Sequence, residues 1–215
     1  AEYERPATIE AIRRALSLKG TVIPIPCDRN VVESLVRSHP DVVFTIAEGW
    51  GGRDRESFVP AVSAALGIPC SGSDATALGL TMDKVLTKRV LRDAGVRTSD
   101  FMLCHDIPAD APPFGFPAFV KPNCEGSSRG ITRDSLVRDL DDLFGQVSKI
   151  LHDSGGPALV EPYLDGRDFC VGVLGNSPPL LLRTCEVLLG HVEEIPFFSR
   201  EYKRRDTDRL DMNPS

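Results

Sequence analysis

Ile9, Ile12 and Leu16 fall three and four residues apart in the stretch that follows Pro6, a spacing that predicts a helix stopped at Gly20. TVIPIP reads as a short β-rich segment and VVESLVRSHP as a second helix. DVVFTIAE is almost continuously apolar, the pattern of a strand buried on both faces in a parallel sheet. After GWGG come a helix in RESFVPAVSAALG and a short strand in IPCSGSD. This alternation predicts a doubly wound α/β unit over residues 1–80. Such units usually open with a strand, and the expectation is that one precedes the helix outside these residues.

From Ala75 the pattern changes. ATALGLTMDKVLTKRVLRDAG is helical, with Leu78, Met82, Val85, Leu86 and Leu91 forming a stripe and Gly95 ending it. FMLCHD reads as a strand, IPADAPPFGFP as a proline-rich connection, and AFVKPNCEGSSRGIT as strand–loop–strand. DSLVRDLDDLFGQVSKILHDSG predicts an amphipathic helix with Asp134 as N-cap and Gly155 as C-cap. PALVEPYLDGRDFCVGVLGN reads as strand, loop, strand and turn, and PPLLLRTCEVLL continues the strands.

Composition narrows the class. A 215-residue chain with 41% hydrophobic and 26% charged residues has the make-up of a soluble globule of one large or two small domains. Its net charge of −6 argues against a nucleic-acid surface. No apolar run approaches the roughly 18 residues of a membrane-spanning helix, so a cytoplasmic protein without a membrane partner is expected. Cysteines 27, 70, 104, 124, 170 and 185 form no CxxC pair, and reduced, partly buried thiols are expected. The four histidines show no metal-ligand spacing.

The chemistry concentrates in FVKPNCEGSSRGI. Lys121 stands at a strand end, followed by a loop in which Gly126 and Gly130 permit positive φ and Ser127 and Ser128 add donors with little bulk. Successive N–H groups in such a loop form an anion-binding concavity, and the lysine supplies a point charge for phosphate. It is not a Walker A loop, where the lysine follows the glycines. A plain Gly-Ser hairpin with an exposed lysine has the same sequence pattern. Downstream, Glu161 and Pro162 close an apolar strand and Asp168 opens the next; upstream, Lys84 and Lys88 share a helix face. A nucleoside triphosphate needs a polar hinge, an acid and lysines, and all three are here. A solvated helix face would explain the lysines equally, and a turn pair with Arg167 would explain Asp168.

Three stretches together resemble one family. AEGWGGRDRESFVPAVSAALGIPCSGSDATALGLTMDKVLTKRVL, FVKPNCEGSSRGI and LVEPYLDGRDFCVGVLGN, spanning roughly residues 41–176, are similar to the ATP-grasp enzymes, and within them to the D-alanine–D-alanine ligases. The resemblance implies an ATP-grasp fold with an N-terminal Rossmann-like (pre-ATP-grasp) domain at 1–80, an ATP-grasp subdomain at 81–160 and a second, incomplete one at 161–215. It implies an ATP- and Mg²⁺-dependent ligase that joins a small carboxylate to an amine through an acylphosphate. Lys84, Lys88 and Lys121 would bind phosphate, and Glu125, Ser127 and Ser128 would form the lid. Glu161, Pro162 and Leu164 would receive adenine, and Asp168, in place of the family's glutamate, the ribose. Lys121, Ser127, Ser128 and Arg209 are the catalytic expectations, Lys203 a further phosphate lysine, and Asp211 and Asn213 the metal ligands. Family members are often homodimers.

The chain departs from the family in two places. Where the first-domain motif reads HGxxGEDG, Glu48 replaces the histidine and Arg53 the acid that meets the substrate amine. An arginine there suits a substrate carboxylate, so a substrate other than two D-alanines is expected; alternatively Glu48 and Arg53 pair with each other. In the tail, RLDMNPS runs the two metal motifs together without the hairpin between them, which suggests segments outside the sequence. An ATP-binding module without ligase activity, or an ATP-grasp kinase or carboxylase, are the other readings of these residues.

Overall fold

The structure, a computed structural model, describes residues 6–187, Phe197 and residues 212–214. The chain separates into two compact units at Ala94/Gly95.

The first unit is helical. α1 spans Pro6–Ser17, with proline at the first helical position, where its missing N–H has no consequence. α2 (Val31–Ser38) buries Val31 and Leu35, one turn apart on the same face. A 3₁₀ turn, Arg55–Ser57, leads into α3 (Phe58–Ala65), whose Pro60 sits harmlessly in the first turn. α4 (Ala75–Met82) and α5 (Lys84–Asp93) follow.

Readings of single segments are corrected here, and the doubly wound sheet is not shown among the described residues. TVIPIP forms no strand, and its Pro24 and Pro26 lack the N–H groups a ladder needs. DVVFTIAE contributes one parallel bridge, Val43 to Cys70. Bridged on one side only, the run leaves Val42 60%, Phe44 50% and Ile46 40% exposed, not buried on both faces. The long helix expected from Ala75 to Gly95 is broken at Asp83. That residue's carboxylate accepts the Leu86 N–H at 3.1 Å, so it caps α5 and does not continue α4.

The second unit is built on an antiparallel sheet in the order β1 (Met102–Cys104), β4 (Ala158–Pro162), β2 (Ala118–Pro122), β3 (Leu136–Val137). α6 (Leu140–Ser154) covers one face with Leu143, Val147 and Ile150, spaced at i, i+4 and i+7. These pack with Ala118, Val120, Val137, Ala158 and Val160 into the core. A second antiparallel sheet follows in the order β5 (Asp168–Leu174), β6 (Leu180–Val187), β7 (Met212–Pro214).

The N-cap of α6 is Asp139, not Asp134. Leu136 and Val137 pair with β2, which delays the helix by several residues; Asp134 lies in a 3₁₀ turn and binds Lys149 at 3.2 Å. Hence the phosphate-loop candidate leads into a turn and a two-residue strand before any helix. Gly155, at φ +62°, closes α6 as its spacing predicts. Asp139 accepts the Asp142 N–H at 2.9 Å. Asp139→Ala is therefore expected to destabilise the second unit by about 1 kcal/mol, measured as a lowered urea midpoint at unchanged slope; Asp134→Ala should leave the midpoint where it is.

Candidate nucleotide site

β2 alternates strictly. Ala118 and Val120 face α6 and the core, which turns Phe119 and Lys121 to the other face of the sheet. On β4 the same alternation sends Leu159 and Glu161 to that face. Register places Phe119 opposite Glu161 and Lys121 opposite Leu159, so Lys121 and Glu161 are diagonal neighbours and form an ion pair. Glu161 is 9% and Lys121 24% exposed at the side chain. A carboxylate this buried needs partners, and Glu161 takes a second from Ser99, whose hydroxyl donates at 2.8 Å. Phe197 packs edge-on against Phe119 on the same face, with ring centroids 4.8 Å apart. The plain hairpin with an exposed lysine is therefore not what forms; Lys121 is oriented by a buried acid forty residues away in sequence.

The loop after β2 bears out Gly130 as a positive-φ position and adds two serines in place of Gly126. Positive φ falls on Ser127 (+48°), Ser128 (+56°) and Gly130 (+71°), not on Gly126. Two successive left-handed serines are a costly backbone, on the order of 1–3 kcal/mol each, of the kind that gathers at ligand clamps. The turn is closed by Arg129 N–H to Gly126 C=O at 2.9 Å and Ile131 N–H to Ser128 C=O at 3.2 Å. Glu125 pairs with Arg129 at 3.3 Å, and Ser127 is exposed. At Gly130 a Cβ would lie 2.5 Å from Pro122 Cγ, so the loop folds back directly on the end of β2.

The hinge segment continues β4. The Tyr163 N–H donates to Pro117 C=O at 3.1 Å, and Leu164 is 72% exposed. Burial, followed by the charges of Asp165 and Asp168, pushes the Tyr163 phenol up from its ordinary value. Asp168 is not tied up in a turn pair: Arg167 binds Glu186 at 3.6 Å and lies 5.0 Å over the Phe169 ring.

In the first unit, Lys84 opens α5 and Lys88 follows one turn later. Lys88 is only 7% exposed, so the solvated helix face fails for it. Arg53 does not pair with Glu48. Its guanidinium binds the buried Asp83 at 3.3 Å, and the Arg53 side chain is 66% exposed. Gly49, Trp50, Gly51, Asp54, Arg55 and Phe58 line a shallow hollow of about 170 Å³. Trp50 and Phe58 meet edge to face at 5.5 Å, and the buried Arg55 donates to Gly52 C=O at 3.2 Å.

Lys203, Arg209 and Asp211 lie outside the described residues, as does the side chain of Asn213, whose backbone pairs opposite Glu186. Among the described residues no group of three or more His, Cys, Asp or Glu could hold a metal ion. Among them, too, no helix is long and apolar enough to cross a membrane. Sequence reading missed Asp83, Ser99 and Tyr163. Asp83 carried one local signal, an acid three residues before an amide it could cap; Ser99 carried none, because its partner is 62 residues away.

The family profile for the D-ala D-ala ligase C-terminus matches residues 90–213. An uncharacterized protein of Sinorhizobium fredii is 37% identical over 75% of this chain and 47% of its own length. The D-alanine–D-alanine ligase of Moorella thermoacetica is 33% identical over 83% of this chain and 59% of its own. Among solved structures, the D-alanine–D-alanine ligase of Bacillus anthracis complexed with ATP superposes with a TM-score of 0.68 at 23% identity, over 89% of this chain and 64% of that one. The VanG D-Ala:D-Ser ligase of Enterococcus faecalis gives 0.59 at 25% identity, over 72% and 45%. The chain thus spans about half to three fifths of the curated relatives it matches, 47% and 59% in the two above. With the profile matching more than half of its residues and the solved ligases sharing its fold, the chain belongs to the D-alanine–D-alanine ligase family and has the ATP-grasp fold.

Proposed function

We propose that this chain carries the nucleotide clamp of an ATP-dependent carboxylate–amine ligase whose acid substrate differs from D-alanine. The observation that carries the reading is Lys121, oriented by the buried Glu161 and followed at once by a loop with two left-handed serines. A carboxylate and a triphosphate repel each other, so the reaction needs fixed positive charge where phosphoryl charge gathers. Lys121 supplies it on a rigid strand, which costs no reorganisation during transfer. Ser127 and Ser128 are small enough to close over phosphates and keep water away. Glu161, Pro162 and Leu164 receive the adenine and Asp168 the ribose; Lys84, Lys88 and Lys203 add positive charge, with Glu125 holding Arg129 at the lid. ATP, when bound, supplies the phosphoryl group that activates the carboxylate. Arg209 and the Mg²⁺ ligands Asp211 and Asn213 belong to the same reading by family position alone.

Arg53 supports a different substrate. The side chain is tied to Asp83 through one nitrogen and keeps the rest of its fork in solvent, the arrangement that receives a carboxylate and repels an ammonium. One solved structure that this chain resembles is named as a D-Ala:D-Ser ligase, which supports a reading with a substrate pair other than two D-alanines.

The test is Mg²⁺-dependent phosphate release from ATP by the full-length protein, against D- and L-amino acids and dicarboxylic acids in pairs. Release with one acid–amine pair is expected. ATP binding without release from any pair would replace the ligase by a binding module, and release dependent on bicarbonate alone would make it a carboxylase.

A further inference from the structure

Cys170 on β5 and Cys185 on β6 stand directly opposite each other. The pairing is regular on both sides of them, from Asp168 opposite Val187 to Val171 opposite Thr184, and shifts only beyond Val171. Opposed residues of an antiparallel ladder hold their Cα atoms about 4.5 or 5.5 Å apart, according to whether the pair is hydrogen-bonded. Both values fall inside the roughly 4.4–6.8 Å that a disulfide spans, and opposed side chains leave the sheet on the same face. Both thiols are free, Cys170 exposed and Cys185 partly so, its Sγ 3.7 Å from the Arg183 carbonyl. In the described strand pairings no other two cysteines stand opposite each other. Cys104 is buried, and burial pushes the Cys27 and Cys104 thiols up, away from the reactive thiolate. Cys70 lies opposite Val43, and Cys124 follows the buried Asn123, whose amide lies 3.3 Å from its sulfur.

We propose that Cys170 and Cys185 form a dithiol site that reacts with small-molecule disulfides and closes to a cross-strand disulfide between β5 and β6. The exposed Cys170 thiolate attacks one sulfur of the small disulfide, whose S–S bond breaks and whose other half leaves as a thiolate. Cys185 then attacks the Cys170 sulfur of the mixed disulfide, forming the Cys170–Cys185 bond and expelling the second half. The two protons of the cysteine thiols end on the two departing thiols. The protein pair is thereby oxidised by two electrons, and the small disulfide is reduced to two thiols.

The experiment uses the full chain, fully reduced, incubated with oxidised glutathione, quenched with an alkylating maleimide and digested with trypsin. Arg183 lies between the two cysteines, so cleavage there leaves a linked pair of peptides that are separate in sequence. The expected result is the loss of two alkylatable thiols out of six and a peptide pair joined through Cys170 and Cys185. Cys170→Ser and Cys185→Ser should each instead retain glutathione as a stable mixed disulfide on the remaining partner. Glutathione carried separately on both cysteines of the unaltered chain, a disulfide routed through Cys27, Cys70, Cys104 or Cys124, or six thiols still open to alkylation would overturn the site. None of these readouts depends on ATP, so the result stands apart from the ligase reading.

Discussion

Lys121→Ala should lower Mg²⁺-dependent phosphate release by about 10²–10³-fold, equivalent to roughly 3–4 kcal/mol of transition-state stabilisation. The loss follows from position. Lys121 sits at the end of β2, on the face turned away from the core, immediately before the loop whose two left-handed serines are proposed to close on phosphate. A second consequence comes from Glu161, 9% exposed at its side chain, which would lose Lys121 as an ion-pair partner while Ser99 remains a donor. Stripping one partner from a buried pair costs up to about 3–5 kcal/mol, and less where water reaches the pair. With Lys121 24% exposed, the lower part of that range applies. The two effects separate in the double variant. Lys121→Ala with Glu161→Gln removes the buried charge that Lys121 had paired and should recover most of the lost urea stability, while phosphate release stays as low as in the single variant. Release that recovered together with stability would show Lys121 to be a structural partner of Glu161 and nothing more.

The second large effect belongs to the first unit. Gly49, Gly51 and Gly52 all have positive φ, at +68°, +64° and +74°, yet alanine should not cost the same at each. At Gly51 a Cβ meets nothing within 4 Å, so the cost is the left-handed backbone alone, about 1–2 kcal/mol. At Gly52 it comes 2.5 Å from Asp54 Oδ1, the movable end of a side chain that can swing away. At Gly49 it comes 2.2 Å from the carbonyl oxygen and 2.8 Å from the carbonyl carbon of Arg55. That carbonyl is main chain at the head of the 3₁₀ turn leading into α3 and cannot yield without moving the turn. Overpacking of this kind adds about 1–3 kcal/mol, giving about 2–5 kcal/mol for Gly49→Ala. The sole tryptophan, Trp50, stands in the same loop, so urea unfolding followed by its fluorescence reports this unit. The expected order of destabilisation is Gly49→Ala above Gly52→Ala and Gly51→Ala. Equal midpoints for Gly49→Ala and Gly51→Ala would mean that the close approach to Arg55 is not a feature of the native loop.

What the sequence by itself determined was everything carried by neighbours along the chain. The i, i+4, i+7 spacing of Leu143, Val147 and Ile150 needed no tertiary information to mark α6, and Gly155 ended it for a reason internal to its own backbone. A lysine, two glycines and two serines in FVKPNCEGSSRGI marked the candidate phosphate loop, and three stretches in order marked the family. Tertiary structure decided which of several locally acceptable partners each group took. Asp134 and Asp139 are both good helix caps; the pairing of Leu136 and Val137 with β2 chose the second. Met82 and Val85 continue one apolar stripe, but Asp83 between them meets both the Leu86 amide and Arg53, and that double demand splits the helix. Arg53 had an acid five residues away in Glu48 and took one thirty residues away. DVVFTIAE has the composition of a doubly covered strand and is bridged on one side only. Lys121 is held by Glu161 because antiparallel register sets them diagonally on one face, a fact no local pattern contains. Helical period, capping and turn chemistry act over a few residues and are written in the sequence one at a time. Register, ion pairing and burial depend on which distant segment arrives alongside, and only the folded chain fixes that.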